Sequence, residues 1–118
     1  MPDLPTITDE EMQTILQYAQ PYSVVILRAG PKYGTENAGP IVWEHARRNM
    51  ALRAAGILSV VLPVRDDSEV CGIAIFDRDG ASVTEIMNDD PGVRAGVFTF
   101  DVHPARGFPG DELPPAPE

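Results

Sequence analysis

The sequence predicts an α+β domain of the ferredoxin-like type, in which a four-stranded antiparallel sheet carries two helices on one face. Three observations predict it. After an N-terminal helical segment, the patterns follow the order strand, helix, strand, strand, helix, strand. Several strands are apolar throughout, as in a covered sheet. The 118 residues, of which 43% are hydrophobic, suit one domain with one core.

The N-terminal extension, residues 1–21, contains a short amphipathic helix over 9–20. Thr8 and Glu11 have the spacing of a capping box, in which each side chain accepts from the other residue's backbone amide. Pro21 ends the helical pattern. We expect this helix to pack on the main domain through an apolar stripe at helical spacing, Met12, Ile15, Leu16 and Ala19.

The main domain, residues 22–103, begins with a strand whose run Tyr22–Leu27 is apolar enough to be central in the sheet. Residues 30–40 contain three glycines and two prolines, which is typical of a mobile loop. A helix over 40–55 follows, because Pro40 suits a first helical turn and Gly56 suits the left-handed position after a helix.

The second half of the domain starts with a hairpin whose strands are 57–64 and 70–77, joined by a charged turn. Ser82 and Glu85 offer a second capping box for a short helix. Pro91 disfavours helical geometry at the residue before it, so we expect the helix to end there and a further turn to run to Ala95.

The last strand shows period-2 alternation, with Phe98, Phe100 and Val102 on one face and Thr99, Asp101 and His103 on the other. Residues 104–118 form a proline-rich tail, which we expect to be extended or disordered. Two short helices cover only one face of an apolar sheet, and the sheet of a second protomer is the simplest cover for the other. A homodimer is therefore expected.

Charge and composition exclude several classes of partner. The net charge of −9 disfavours nucleic acid and anionic membrane surfaces. The sequence has no apolar run of membrane-spanning length and no leader pattern at its start, so we expect a cytoplasmic protein. Cys71 is the only cysteine, which excludes an internal disulfide, and its apolar surroundings predict a buried, inert thiol.

Three segments stand out: His45 in the helix after the first strand, the helix end and strand start at 54–58, and Asp89–Val97, which contains an Asp-Pro-x-x-x-x-Gly motif. Together they resemble the YCII-related family of dimeric α+β barrel proteins, whose signature has the same Asp-Pro-x-x-x-x-Gly pattern. The resemblance covers 22–103. It implies a homodimer with a cleft near each sheet, in which the functional histidine and aspartate match His45 and Asp90.

His45 and Asp90 are the candidate catalytic residues. A histidine acts as general acid or base near neutral pH, and a carboxylate can orient its ring. The structural interpretations stay open: His45 as a core-edge residue bonded to a backbone carbonyl, and Asp90 as a cap for the turn that Pro91 begins. Asn49, one turn beyond His45, is the candidate substrate-binding residue or a polar residue at the helix edge.

Other chemistry has weak support. His45 with His103 is the only histidine pair for a metal, so we expect no metal site. Glycine-rich cofactor motifs and hydrolase motifs are absent from the sequence, so we expect no cofactor. Arg47 and Arg48 suit a solvated helix face, and Trp43 suits a core or dimer anchor.

Three functions remain open. The first is an enzyme that uses His45 and Asp90 for acid–base chemistry on a small molecule. The second is a non-catalytic dimeric module that binds a metabolite or a partner, and the third is a structural dimer without a ligand.

Overall fold

The computed structural model of the chain describes residues 2–117, which form four helices and four strands. The domain is built from two strand-helix-strand halves, preceded by a separate helix. In chain order the elements are α1 (Asp9–Gln17), β1 (Gln20–Ala29), α2 (Ala38–Ala54), β2 (Leu58–Pro63), β3 (Val70–Phe76), α3 (Gly80–Asn88), α4 (Pro91–Arg94) and β4 (Phe98–Gly107).

The four strands form one antiparallel sheet in the order β2-β3-β1-β4. This is the ferredoxin-like order, and the predicted fold class is confirmed. β1 lies in the interior of the sheet as expected: Val25 pairs with Ala74 of β3 on one side and with Val102 of β4 on the other.

The core lies between the sheet and helices α2, α3 and α4. In β1 the side chains of Ser23, Val25 and Leu27 are buried and alternate with less buried ones, as strand geometry requires. Because Phe76 is the partner of Ser23, it lies on the same face, and it is also buried. α3 covers this face with Val83 and Met87.

The opposite face, called here the open sheet face, is not covered by any helix of the described part of the chain. Strand alternation and register place on it an apolar group that consists of Val24, Ile26, Val60, Leu62, Ile73 and Ile75. Leu62 and Ile73 are 40% and 37% exposed, which is high for aliphatic side chains in a sheet. A polar edge adjoins the apolar group, where Arg28 donates to Asp101 at 2.8 Å and to Glu69 at 3.0 Å.

Helix ends follow the predicted local chemistry at two places. Thr8 caps α1, with its side chain accepting from the Glu11 amide at 3.1 Å, and the capping box is confirmed. Gly56, with φ of 77°, follows α2 in the left-handed conformation. There the amide of Ile57 donates to the Leu52 carbonyl at 3.0 Å, which is the bond of a Schellman motif.

The second predicted capping box is wrong. α3 begins at Gly80, and its cap is Asp79, whose carboxylate accepts from the Ser82 amide at 2.8 Å. Ser82 therefore lies inside the first turn. Because β3 ends at Phe76, the chain has already turned at Asp79, whose φ of −71° and ψ of 166° suit a cap. This hydrogen bond lowers the pKa of the Asp79 carboxyl.

α1 is a helix, as predicted, but it ends at Gln17 and buries no residue against the domain. The expectation that it packs there is wrong. The radius of gyration is 17.0 Å, whereas a compact chain of this length has roughly 13 to 14 Å. None of the helices within residues 2–117 has the length and apolar character needed to cross a lipid bilayer.

β4 continues four residues beyond the predicted strand end, to Gly107, which pairs with Gln20 at the start of β1. Pro104 is tolerated there because β4 is an edge strand and its outer side needs no amide. Both ends of the chain therefore leave the sheet at the same corner.

Candidate functional site

A cavity of about 680 Å³ lies between α2 and the sheet. Its wall is mainly apolar and is formed by α2, by the loop before α2, and by β1, β2 and β3. None of the Lys, Arg, Asp and Glu residues between positions 2 and 117 lines it. Its polar side chains are Tyr33, Thr35, His45, Asn49 and Cys71.

α2 brings His45 to the cavity wall, and the side chain of His45 is only 10% exposed. Its Nδ1 atom lies 2.8 Å from each carboxylate oxygen of Asp90. Its Nε2 atom lies 3.3 Å from Nδ2 of Asn49, the residue one turn further along the helix. The structure therefore brings the three candidate residues into one hydrogen-bonded cluster, whose catalytic role stays a prediction.

Asp90 reaches His45 because it is the cap of α4. It is 1% exposed, and its Oδ2 atom accepts from the amides of Gly92 at 2.9 Å and Val93 at 3.2 Å. Pro91 occupies the first helical position, where a missing amide costs nothing. The capping role and the contact with His45 were alternatives from the sequence, but the carboxylate makes both sets of contacts.

The hydrogen-bond partners of Asp90 indicate which nitrogen of the His45 ring carries the proton. Every neighbour of the Asp90 carboxylate within hydrogen-bond distance is an N–H group, so the carboxylate accepts and Nδ1 of His45 carries the proton. Nε2 then holds a lone pair, which can accept from the Asn49 amide. This tautomer leaves a basic nitrogen at the cavity wall.

The ring of His45 is held from the side by Phe98, with ring centroids 4.7 Å apart and planes tilted by 47°. The alternation in β4 predicted that Phe98 is buried but not that it contacts His45. Gly92 makes room for this arrangement, because a Cβ atom there would lie 2.6 Å from the Phe98 ring and 3.0 Å from Asp90. The glycine is required by a close approach.

Arg48 is not on a solvated face, contrary to the prediction. Its guanidinium donates to the carbonyl of Ile86 at 2.7 Å and lies 3.8 Å from the Asp90 carboxylate. The side chain is 28% exposed. A helical-wheel projection of α2 places Arg48 at the border of the buried face. The direction of its side chain is determined by the position of α3.

The loop before α2 contributes Tyr33 and Thr35, which the sequence reasoning missed. Backbone hydrogen bonds tie its start to the segment after α4, since Lys32 donates to the Gly96 carbonyl at 2.9 Å. The Tyr33 ring lies 6.0 Å from the Phe98 ring. An aromatic residue inside a glycine-rich loop was an available signal, because loops often supply binding residues.

Cys71 lies where β1 and β3 shift register, between the pairs Leu27–Gly72 and Arg28–Val70. It is half-buried rather than buried, and it lines the cavity. Burial raises the pKa of its thiol, so the group is a protonated, weakly polar part of the wall at neutral pH.

The structure does not bring His103 to His45. His103 pairs with Val24 and lies on the open sheet face, whereas His45 lies on the helix side. Among residues 2–117 no group of three potential metal ligands converges. Trp43 is not in the core, because it is 66% exposed on the outer side of α2 beside Arg47.

Comparison with protein-family models and with curated protein sequences finds no match. Among solved structures, the chain is similar to 5-chloro-2-hydroxyhydroquinone dehydrochlorinase from Burkholderia phenoliruptrix in complex with 2,5-dihydroxybenzoquinone. The two share 15% identity with a TM-score of 0.49, over 70% of this chain and 90% of the other. Likeness at this level does not assign an activity to this chain.

Proposed function

We propose that this chain is an enzyme that carries out general acid–base chemistry on a small, uncharged molecule, with His45 as the residue that transfers the proton. The contact between Nδ1 of His45 and the buried Asp90 carboxylate, 2.8 Å to each oxygen, carries the proposal. Such a contact fixes the ring and its tautomer, and it stabilises the imidazolium that forms when Nε2 takes a proton.

The roles follow from the positions. Nε2 of His45 accepts a proton from a substrate in the cavity and returns it at another atom or to a leaving group. Asp90 orients the ring and stays in contact with Nδ1 throughout. When substrate enters, the Asn49 amide, 3.3 Å from Nε2, turns from the ring to a polar group of the substrate. This frees the Nε2 lone pair for the proton that moves.

The cavity wall favours an uncharged substrate. A carboxylate or phosphate would lose hydration there without meeting a Lys or Arg side chain. A volume of about 680 Å³ is in the range of small-molecule sites. The loop that carries Tyr33 and Thr35 is exposed. The Tyr33 hydroxyl can donate to a substrate carbonyl near the cavity mouth, whereas the Thr35 hydroxyl, which already donates to the Lys32 carbonyl at 2.8 Å, can accept from a substrate hydroxyl.

The test is deuterium exchange. Uncharged cyclic compounds with acidic C–H bonds are incubated with the protein in D₂O, and deuterium incorporation is followed by NMR. We expect exchange that slows by about 10² to 10⁴-fold in His45→Gln. The matched control is His103→Gln, an exposed histidine on the other face, which keeps the wild-type rate. Equal rates in wild type and His45→Gln would refute the proposal.

A non-catalytic binding module is the second candidate, favoured by the same apolar cavity. This function predicts that a compound binds saturably but shows no deuterium exchange in the presence of the protein. In that case Asn49→Ala weakens binding of the compound, and neither wild type nor His45→Gln changes it chemically.

We also propose that two copies pair through the open sheet face, because Leu62 and Ile73 of its apolar group are exposed in one chain and the other four residues are only half-buried. The double variant Leu62→Asp with Ile73→Asp places two charges on that face. We expect it to be monomeric by sedimentation equilibrium at concentrations where the wild type is dimeric. Leu113→Asp, in the exposed tail, is the control and stays dimeric. An unchanged dimer in the double variant would exclude this face.

A further inference from the structure

The helix α1 presents an apolar face that is not buried by any other part of residues 2–117. Met12, Ile15 and Leu16 are 43% to 46% exposed, although they form one stripe. Ile7 extends the stripe from the position before the cap, where a hydrophobic staple is usual. The helix is nevertheless well defined locally, because its capping box is complete.

A second uncovered surface lies on the outer side of α2. Trp43, Arg47 and Met50 follow one another at helical spacing, and each is exposed. The Arg47 guanidinium lies 6.0 Å from the centroid of the Trp43 ring. An exposed tryptophan flanked by arginine is the composition of an interface hot spot.

The two surfaces match in length and charge. Both stripes extend over about 6 to 10 Å, at 1.5 Å per residue. Residues 2–27 contain four acidic residues and no Lys or Arg, for a charge of −4. Apart from Arg48, which turns inward to Ile86, α2 contains two arginines and one glutamate, for a charge of +1 in a chain whose net charge is −9. Glu44 pairs with Arg47 at 3.2 Å. Opposite charge favours their association.

We propose that α1 of one copy docks on the outer side of α2 in a second copy, with Ile15 and Leu16 against Trp43 and Met50. The first turn of α1, Asp9 to Glu11, then lies within reach of arginines on α2. Met50 also lines the cavity, so the docked helix borders the cavity mouth of the second copy.

Trp43 is the only tryptophan of the chain and reports directly on this contact. Acrylamide quenching of its fluorescence is compared between wild type and the double variant Ile15→Asp with Leu16→Asp. We expect quenching to be roughly two-fold or more stronger in the variant, because the docked helix excludes solvent from the ring. Leu4→Asp, an exposed apolar residue outside the helix, is the control and keeps the wild-type quenching.

A mixed assembly shows whether the contact is between copies. A chain with the double variant and Trp43 is co-expressed with a chain that has wild-type α1 and Trp43→Phe, and both are recovered through different tags. We expect Trp43 to be protected in the mixed assembly but not in the double variant alone. The proposal is overturned by an exposed Trp43 in both samples, by protection in the double variant alone, or by failure to recover mixed assemblies.

Discussion

Replacing Asp90 with asparagine tests the dyad with almost no change in shape. Oδ2 of Asp90 accepts from two backbone amides, so the oxygen of the new amide takes that position. The NH₂ group then occupies the Oδ1 position, 2.8 Å from Nδ1 of His45 and facing Arg48. Because NH₂ is a donor, it repels a proton on Nδ1, although the amide oxygen at the Oδ2 position also lies 2.8 Å from this atom. We expect Nδ1 to become the acceptor and the ring proton to move to Nε2.

The magnitudes follow from these contacts. Asparagine caps a helix about as well as aspartate, so α4 is retained. The loss is one charge-assisted hydrogen bond, or about 2 kcal/mol of the free energy of unfolding. The same change of tautomer in a serine-protease triad lowers kcat by about 10⁴-fold. We expect the His45-dependent deuterium exchange to fall by a similar factor.

The assay is ¹⁵N NMR of the imidazole nitrogens, which distinguishes protonated from unprotonated ring atoms. The chain has two histidines, and His103 on the open sheet face is an internal control. In wild type we expect the proton of neutral His45 on Nδ1, and in Asp90→Asn on Nε2. An identical tautomer in both proteins would refute this reasoning, because it would show that the oxygen at the Oδ2 position alone fixes the ring proton.

Three further predictions concern stability. Gly92→Ala should lower the free energy of unfolding in urea by about 1 to 3 kcal/mol, because the new Cβ overlaps the Phe98 ring. The control Gly39→Ala, in open space within α2, should raise it by up to about 1 kcal/mol. Equal effects of the two substitutions would contradict the overlap at Gly92. Arg48→Met should cost about 1 to 3 kcal/mol by leaving the Ile86 carbonyl without its donor, whereas the exposed Arg47→Met should stay within about 0.5. The Asp79 carboxyl has a lowered pKa in the folded state. Its contribution to the stability of the fold is therefore present above the ordinary pKa of 3.8 and is lost as pH falls through the folded pKa. Thermal melts of wild type and Asp79→Ala should therefore converge in acid, and a constant difference down to pH 2 would argue against the cap.

The fold could be predicted largely because local chemistry and periodicity agree. The Thr8 capping box, the left-handed Gly56 and the alternation in β4 each depend on residues close together in the chain. Where two local signals competed, the sequence could not choose. Asp79 and Ser82 are both good caps, and the end of β3 determines which one is used.

The geometry of the candidate site could not be predicted from the sequence. The predicted elements placed His45 on a helix and Asp90 before a proline, but only the packing of α4 against α2 joins them. The orientations of Arg48 and Phe98 depend on the same packing. The exposure of α1 could not be predicted for a different reason. An amphipathic pattern predicts that one face of a helix is covered, but it does not specify which chain covers that face.

Because Gln20 pairs with Gly107, the first and last residues of the sheet lie next to each other. Partners across antiparallel strands are about 5 Å apart, so a short peptide could join these two residues directly. The exposed turn between β2 and β3 would then be a suitable place for new termini. Circular permutation would thus remove α1 and the tail while leaving the His45–Asp90 pair and every strand of the sheet in place. The segments before Gln20 and after Gly107 are additions to a domain that does not need them for its connectivity.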